Sequence, residues 1–244
     1  MESAKKTIVV MPVANEEETM SSVIEQFLAL PYDNLFLYTI IDGYSKDKTE
    51  EIIRSFENTG RVKCIFDENS TGVISCYMEG YRVALADGAD RVIEMDGGGS
   101  HRPSEIPQFM EKLDEGYDCV WGSRFIEGGG MKNDPLYRKV LSGGGTKLSN
   151  LVLGTKLKDM TSGFEAFQRD VLLEFDFDKF LSTGHMYQTE MRFYCRNKKA
   201  VEVPIHYKAG KSSLKLKSVT EAIRILFMLK NNEKKVRYRS NHTA

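Results

Sequence analysis

At 244 residues the chain is long enough to bury a full core as one large domain. Lys+Arg 34 against Asp+Glu 35 leaves a net charge of −1, so no overall field draws it to nucleic acid. A hydrophobic content of 41% with 28% charged residues is that of a soluble globular protein. No apolar run approaches the roughly 20 residues of a membrane span. The first apolar run stops at Pro12 and offers no signal peptide, so a cytoplasmic protein is expected. Cys64, Cys76, Cys119 and Cys195 form no CxxC pair, and buried free thiols are expected rather than a zinc site.

Taken in order, apolar runs at 7–11, 35–41, 62–66, 91–95 and 118–121 have strand character. Stretches of helical period separate the first four. Residues 16–30 put Met20, Val23, Ile24, Phe27 and Leu28 on one face, 47–56 put Ile52, Ile53 and Phe56, and 71–86 put Ile74, Met78, Tyr81, Val83 and Leu85. Fully apolar strands alternating with amphipathic helices predict a mostly parallel sheet covered on both faces, an α/β fold. Asp47 and Ser104 suit helix N-caps, with Glu50 at capping-box spacing from Asp47.

After Gly122 the rhythm changes. Residues 125–134 are Gly-rich and polar, a loop able to order over a ligand. Pro135 opens a helix through Leu153, weakened by Gly143, Gly144 and Gly145. A polar segment at 159–167, a helix at 186–196, a strand at 200–205 and a basic loop at 208–216 follow. The amphipathic stretch 218–229 precedes a tail in which 230–239 hold five basic residues against Glu233. A single domain over 1–230 is expected, with its halves meeting near residue 123 and a flexible basic tail at 231–244. The helix and tail suit either a terminal helix packed on the protein or one lying on an anionic membrane.

The stretch 92–103, VIEMDGGGSHRP, carries the chemistry. Asp96 ends the fourth strand and three glycines follow, an arrangement suited to a polyphosphate and its metal ion. By strand alternation Glu94 points away from Asp96's neighbours, and His101 reads as an orienting group. Pro12–Glu16 follows the first strand and Asp42–Thr49 the second, so three strand ends share one edge of the sheet, where such sheets bind ligands. No GxGxxG follows the first strand and no GxxxxGK[ST] occurs, which excludes dinucleotide and P-loop readings. Trp121 reads as core.

The ordered set Pro12-x-x-Asn-Glu16, Asp42-x-x-Ser-x-Asp47-x-Thr49, Asp96, Ser100-His101-x-Pro103, Gly122-Ser-Arg124-Phe125, Asp159-x-Thr-Ser-Gly-Phe164 and Tyr187-Gln188-x-Glu190 resembles the family 2 glycosyltransferases of GT-A fold. Within that family it is most similar to the polyprenol-phosphate sugar synthases, over roughly residues 8–229. Two positions depart from the family pattern: the second Asp of Asp-Asp is Gly43, and the second Asp of Asp-x-Asp is Gly98.

The resemblance implies an inverting enzyme that moves a hexose of mannose or glucose type from a GDP- or UDP-linked donor to a polyprenyl monophosphate. Pro12, Asn15, Glu16 and Asp42 would then surround the nucleoside. Lys208, Lys211 and Ser212 would meet the diphosphate, their alternative being a solvated basic loop. Asp96 would hold Mg2+ or Mn2+, with a looser grip for want of a second Asp. Arg124, Arg138 and Ser142 would bind the acceptor phosphate, Arg138 and Ser142 sharing a helix face at i, i+4. Asp159 and Glu190 would lie near the sugar or acceptor; a helix cap and an interior ion pair are their structural alternatives. A lipid phosphate is already an anion and needs no general base, whereas a glycan hydroxyl would call on one of these two carboxylates. Transfer to such a hydroxyl, or nucleotide-sugar binding without turnover, are the competing functions. No nucleic acid is expected as partner; a peripheral place on the cytoplasmic face of a membrane, or a membrane-protein partner, is.

Overall fold

The computed structural model describes residues 5–70, 72–132, 136–182, 184, 186–208 and 216–232. In chain order these form β1 (Thr7–Val13), α1 (Met20–Leu28), β2 (Leu35–Asp42), α2 (Thr49–Ser55), β3 (Val62–Asp67), α3 (Val73–Ala86), β4 (Arg91–Glu94), α4 (Ile106–Asp114) and β5 (Cys119–Ser123). There follow β6 (Gly130–Lys132), α5 (Leu136–Leu153), β7 (Glu165–Gln168), α6 (Arg169–Leu173), α7 (Tyr187–Tyr194), β8 (Ala200–Pro204), β9 (His206–Lys208) and α8 (Leu216–Asn232).

Seven strands make one sheet in the order β3-β2-β1-β4-β7-β5-β8, parallel except for β7, which runs antiparallel to both neighbours. Alternate residues of β1 serve its two faces. Val9, Met11 and Val13 pack with Ile24 and Phe27 of α1 and Phe109 of α4, while Ile8 and Val10 pack with Tyr77 and Tyr81 of α3. Burial on both sides is why these strands are apolar without interruption. Of the predicted α1 stripe, Met20, Val23, Ile24 and Phe27 are buried and Leu28 is half-buried, and each buried side chain contributes about 1.5–3 kcal/mol.

All five predicted early strands are present, with some element ends shifted. α1 starts at Met20 rather than 16 because residues 16–19 form a turn in which the Glu16 carbonyl accepts from the Thr19 and Met20 N–H groups. Asp47 does accept the Thr49 N–H, but Glu50 pairs with Arg54 instead of closing a capping box. Ser104 caps nothing: it lies within a 3-10 turn, Pro103–Glu105, that runs into α4 without a side-chain cap. α5 continues straight through Gly143, Gly144 and Gly145. Periodicity did not reveal β6, β7, β9 or α6, all five residues or shorter, too few for a repeat to register. Residues 130–132 of the predicted loop instead pair as β6 with β9.

α8 packs on the protein through Ile225, Leu226 and Leu229, which join Leu153 of α5 and Phe193 of α7 in a third apolar cluster. Its other side leaves Ile223 and Phe227 exposed, and on α5 Leu136, Tyr137, Val140 and Leu151 are exposed as well. The predicted basic tail beyond residue 232 lies outside the described residues. Among the described residues no helix is long and apolar enough to cross a membrane. The four cysteines are free, three of them buried, and Trp121 is core.

Candidate active site

The carboxyl ends of β1, β2 and β4 open onto one cleft of about 820 Å³. Pro12, Asn15, Glu16, Asp42, Asp96, Arg124 and Lys208 all line it, as do Tyr77, Thr161, Gln188 and Tyr207, to which the sequence assigned no role. Gln188 sits in the Tyr187-Gln188-x-Glu190 motif, and that membership is its signal in the sequence. Tyr77 lies four residues before Tyr81 on α3 and is not in the helical stripe read from the sequence.

The loops after β1 and β2 are laced into one body by side chains that bind backbone. The Asn15 and Glu17 N–H groups donate to Ser45 Oγ (3.1 Å) and Asp47 Oδ2 (3.0 Å), and the Glu16 N–H donates to Thr49 Oγ1 (2.8 Å). In return the Lys46 and Lys48 N–H groups donate to Asn15 Oδ1 (2.9 Å) and Glu17 Oε2 (3.0 Å). Asn15 holds φ 55, a left-handed conformation that asparagine tolerates, and its side-chain oxygen is occupied in bracing. Burial pushes the Asp47 carboxyl up, but the hydrogen bonds from Thr49 and Glu17 outweigh this and hold it below the usual carboxylate range. Asp42 Oδ1 accepts from the Ser70 hydroxyl (2.6 Å) and the Tyr44 N–H (3.0 Å). A Cβ at Gly43 would stand 3.2 Å from the Asp67 carbonyl oxygen, so the close pass of this loop over the end of β3 favours glycine there.

Asp96 accepts from the Tyr77 hydroxyl at 2.8 Å, and its carboxylate is about one-third exposed. Its N–H donates to His101 Nδ1 (3.2 Å), which places the imidazole proton on Nε2. His101 is buried against Phe164, ring centroids 4.9 Å apart, and burial lowers its pKa, so the ring is neutral and orients the loop. Beneath this floor Glu94 is fully buried and accepts from the Tyr81 and Tyr187 hydroxyls and, at 3.3 Å, from Gln188 Nε2. Burial pushes its pKa up to about 8, the hydrogen bonds opposing. Across the β4–β7 register Glu94 faces Glu165, which is paired with Arg192 and also raised by burial.

On the far side of the cleft Arg124 and Asp159 are bound to each other. Arg124 Nε and Nη2 donate to Asp159 Oδ2 (2.7 Å) and Oδ1 (2.8 Å), and Nη2 also donates to Thr161 Oγ1 (2.6 Å). Burial alone would raise the Asp159 carboxyl; the Arg124 hydrogen bonds and charge, backed by Arg192, hold it below the usual range. Asp159 itself is fully buried, its carboxylate held directly behind the cleft-lining Arg124. Glu190 is fully buried as well. Its carboxylate turns inward to accept from the Leu181 and Ser182 N–H groups (both 2.8 Å) and the Tyr194 hydroxyl (2.6 Å). Ser142 is half-buried on α5 and does not line the cleft. The Arg138 side chain, Lys211 and Ser212 lie outside the described residues. Lys208 is anchored by its N–H to the Ser100 carbonyl (3.0 Å), so β9 closes onto the loop after Asp96.

Among the described residues no group of three or more His, Cys, Asp and Glu side chains is arranged to hold a metal alone. The site nevertheless fits a divalent cation that shares its shell with phosphate oxygens and water. Asp96 presents a partly exposed carboxylate, and a Cβ at Gly163 would stand 3.2 Å from its Oδ1, encroaching on that space. A Cβ at Gly98 would stand 2.8 Å from Glu16 Oε1, so position 98 leaves room for a second carboxylate.

The cleft lies at the strand ends of a mostly parallel α/β sheet, where such sheets bind ligands, and comparison with known proteins says which class of protein this is. Residues 8–175 match Glycosyl transferase family 2, and the chain belongs to that family of glycosyltransferases. It is 29% identical to the polyprenol monophosphomannose synthase of Mycolicibacterium smegmatis, over 90% of this chain and 84% of that protein. Identity to the undecaprenyl-phosphate mannosyltransferase of Micrococcus luteus is 31%, over 89% of this chain and 91% of the relative. Among solved structures, glucosyl-3-phosphoglycerate synthase from Mycobacterium tuberculosis in complex with Mn2+, uridine diphosphate and phosphoglyceric acid shares the fold. Its TM-score is 0.70 at 17% identity, over 96% of this chain and 79% of that one.

Proposed function

We propose that the protein transfers a hexose, of mannose or glucose type, from a GDP- or UDP-linked donor to a polyprenyl monophosphate, with inversion at the anomeric carbon. The observation that carries this reading is the single cleft joining Glu16, Asp42 and Asp96 to Arg124 and Lys208. The naming of the mycobacterial and Micrococcus relatives for polyprenyl-phosphate mannose transfer supports it. Burial of Asp159 and Glu190 favours a phosphate over a hydroxyl acceptor. Both carboxylates expected to serve a hydroxyl as base are committed to internal partners, whereas a phosphate monoester is anionic already.

In this reading Asp42 meets the nucleoside and the loop after Asp96 cradles the diphosphate. Asp96 would hold a divalent cation, which supplies charge to offset the departing nucleoside diphosphate. Lys208 adds positive charge on the same side. Arg124, oriented by Asp159, faces the incoming phosphate, and alignment of the two substrates does most of the catalysis. Exposed apolar residues on α5 and α8, with Arg224 and Lys230 exposed beside them, suit a protein that meets its acceptor at the cytoplasmic face of a bilayer.

The test offers labelled GDP-mannose or UDP-glucose to the purified chain with vesicles carrying undecaprenyl or dolichyl phosphate. A labelled glycolipid of inverted configuration is expected. Label on a glycan hydroxyl, or none on lipid phosphate with any donor, overturns the proposal.

A further inference from the structure

We infer that Glu16 supplies the second protein carboxylate of the cation site, in space left open by Gly98. Asp96 and Glu16, from two different strand ends, would thus share the work of two acidic residues of one loop. This rests on the proposed function and deepens it.

The placement follows from how the loops after β1 and β4 meet. β1 and β4 are adjacent parallel strands, and the Met95 N–H donates to the Val10 carbonyl. Gly97 then passes so close to β1 that a Cβ there would stand 2.6 Å from the Pro12 carbonyl oxygen and 2.4 Å from Val13 Cγ1. That contact pins the next residue, Gly98, against the Glu16 side chain. Any side chain at position 98 would start 2.8 Å from Glu16 Oε1, so the two cannot share the space. Glu16 is itself aimed: its N–H is fixed to Thr49, and the Thr19 hydroxyl donates to Oε2 at 3.1 Å. Oε1, the oxygen facing Gly98, has no hydrogen-bond partner among the described residues. A hard divalent cation that takes phosphate oxygens and water needs one or two carboxylates from the protein, and Asp96 with Glu16 meets that number.

Equilibrium dialysis with GDP or UDP, with and without Mn2+, reads nucleotide retention directly and needs no turnover. The wild-type protein should retain nucleotide more tightly with Mn2+. Glu16→Gln should lose about tenfold or more of that metal-dependent gain and a much smaller share of its metal-free retention. Gly98→Ala should lose a similar share although both carboxylates remain, because its methyl group displaces Glu16; it also serves if Glu16→Gln folds poorly. Glu16→Ala combined with Gly98→Asp, which clears the space and refills it with a carboxylate from the other loop, should recover most of the gain. Undiminished Mn2+ dependence in Glu16→Gln overturns the inference, as does equal loss with and without metal, which would make Glu16 a nucleoside contact. Retention by the wild type that ignores Mn2+ overturns the inference and leaves the proposed function standing. If the wild type retains neither nucleotide under any condition, the proposed function falls and takes the inference with it.

Discussion

The two sides of the cleft are built by opposite means. At the ends of β1 and β2 short polar side chains bind backbone N–H groups, so the loops hold one another and leave Asp42 and Glu16 at the cleft. Beyond β5 charged side chains bury one another: Arg124 with Asp159, Arg192 with Glu165, and Glu190 with the N–H groups of residues 181 and 182. The first kind of construction is local and partly wet. The second depends on partners that must remain paired, because a buried charge without its counter-ion is costly. Ligand-facing residues of the first side are therefore separable from the fold, and Arg124 is not.

Arg124→Ala sharpens this contrast most. It strands the Asp159 carboxylate and should destabilise the protein by about 3–5 kcal/mol in urea unfolding, so that lost activity accompanies a lost fold. With a folded pKa below its unfolded value, Asp159 stabilises the protein above about pH 4, and that contribution fades as pH falls through the depressed value. Asp159→Asn should therefore flatten the acid limb of a stability–pH curve.

Asp96→Ala should leave the melting temperature near that of the wild type while transfer falls about 10²–10³-fold or more, read as label incorporated into glycolipid. A coincident loss of stability would erase the distinction between the two sides. Glu94→Gln probes the floor beneath them. A folded pKa of about 8 against a reference value of 4.5 means that the native state keeps a proton the unfolded chain has released. Stability should therefore fall as pH rises through that window, and the glutamine variant should lose this slope in urea melts between pH 5 and 9. The smallest effect is expected at Gly144, where an added Cβ meets nothing within 4 Å. Gly144→Ala should stabilise α5 by about 0.5–1 kcal/mol, seen as a raised melting temperature.

Local pattern was enough for the five early strands, the early helices and the shared edge on which Pro12, Asn15, Glu16, Asp42 and Asp96 lie. A parallel sheet buried on both faces writes itself as apolar runs, and its connections put every such strand's carboxyl end on one side. The same pattern was silent on β7, four residues long and reversed between β4 and β5, and on the fates of Asp159, Glu190 and Glu94. A carboxylate in a motif looks the same whether it meets substrate, an arginine 35 residues away or a pair of tyrosine hydroxyls. Those choices are made by burial and by long-range pairing, which no short repeat along the chain records. Gly98 belongs with them: in the sequence it is a missing carboxylate, and only the neighbouring Glu16 side chain in space turns it into an opening for one.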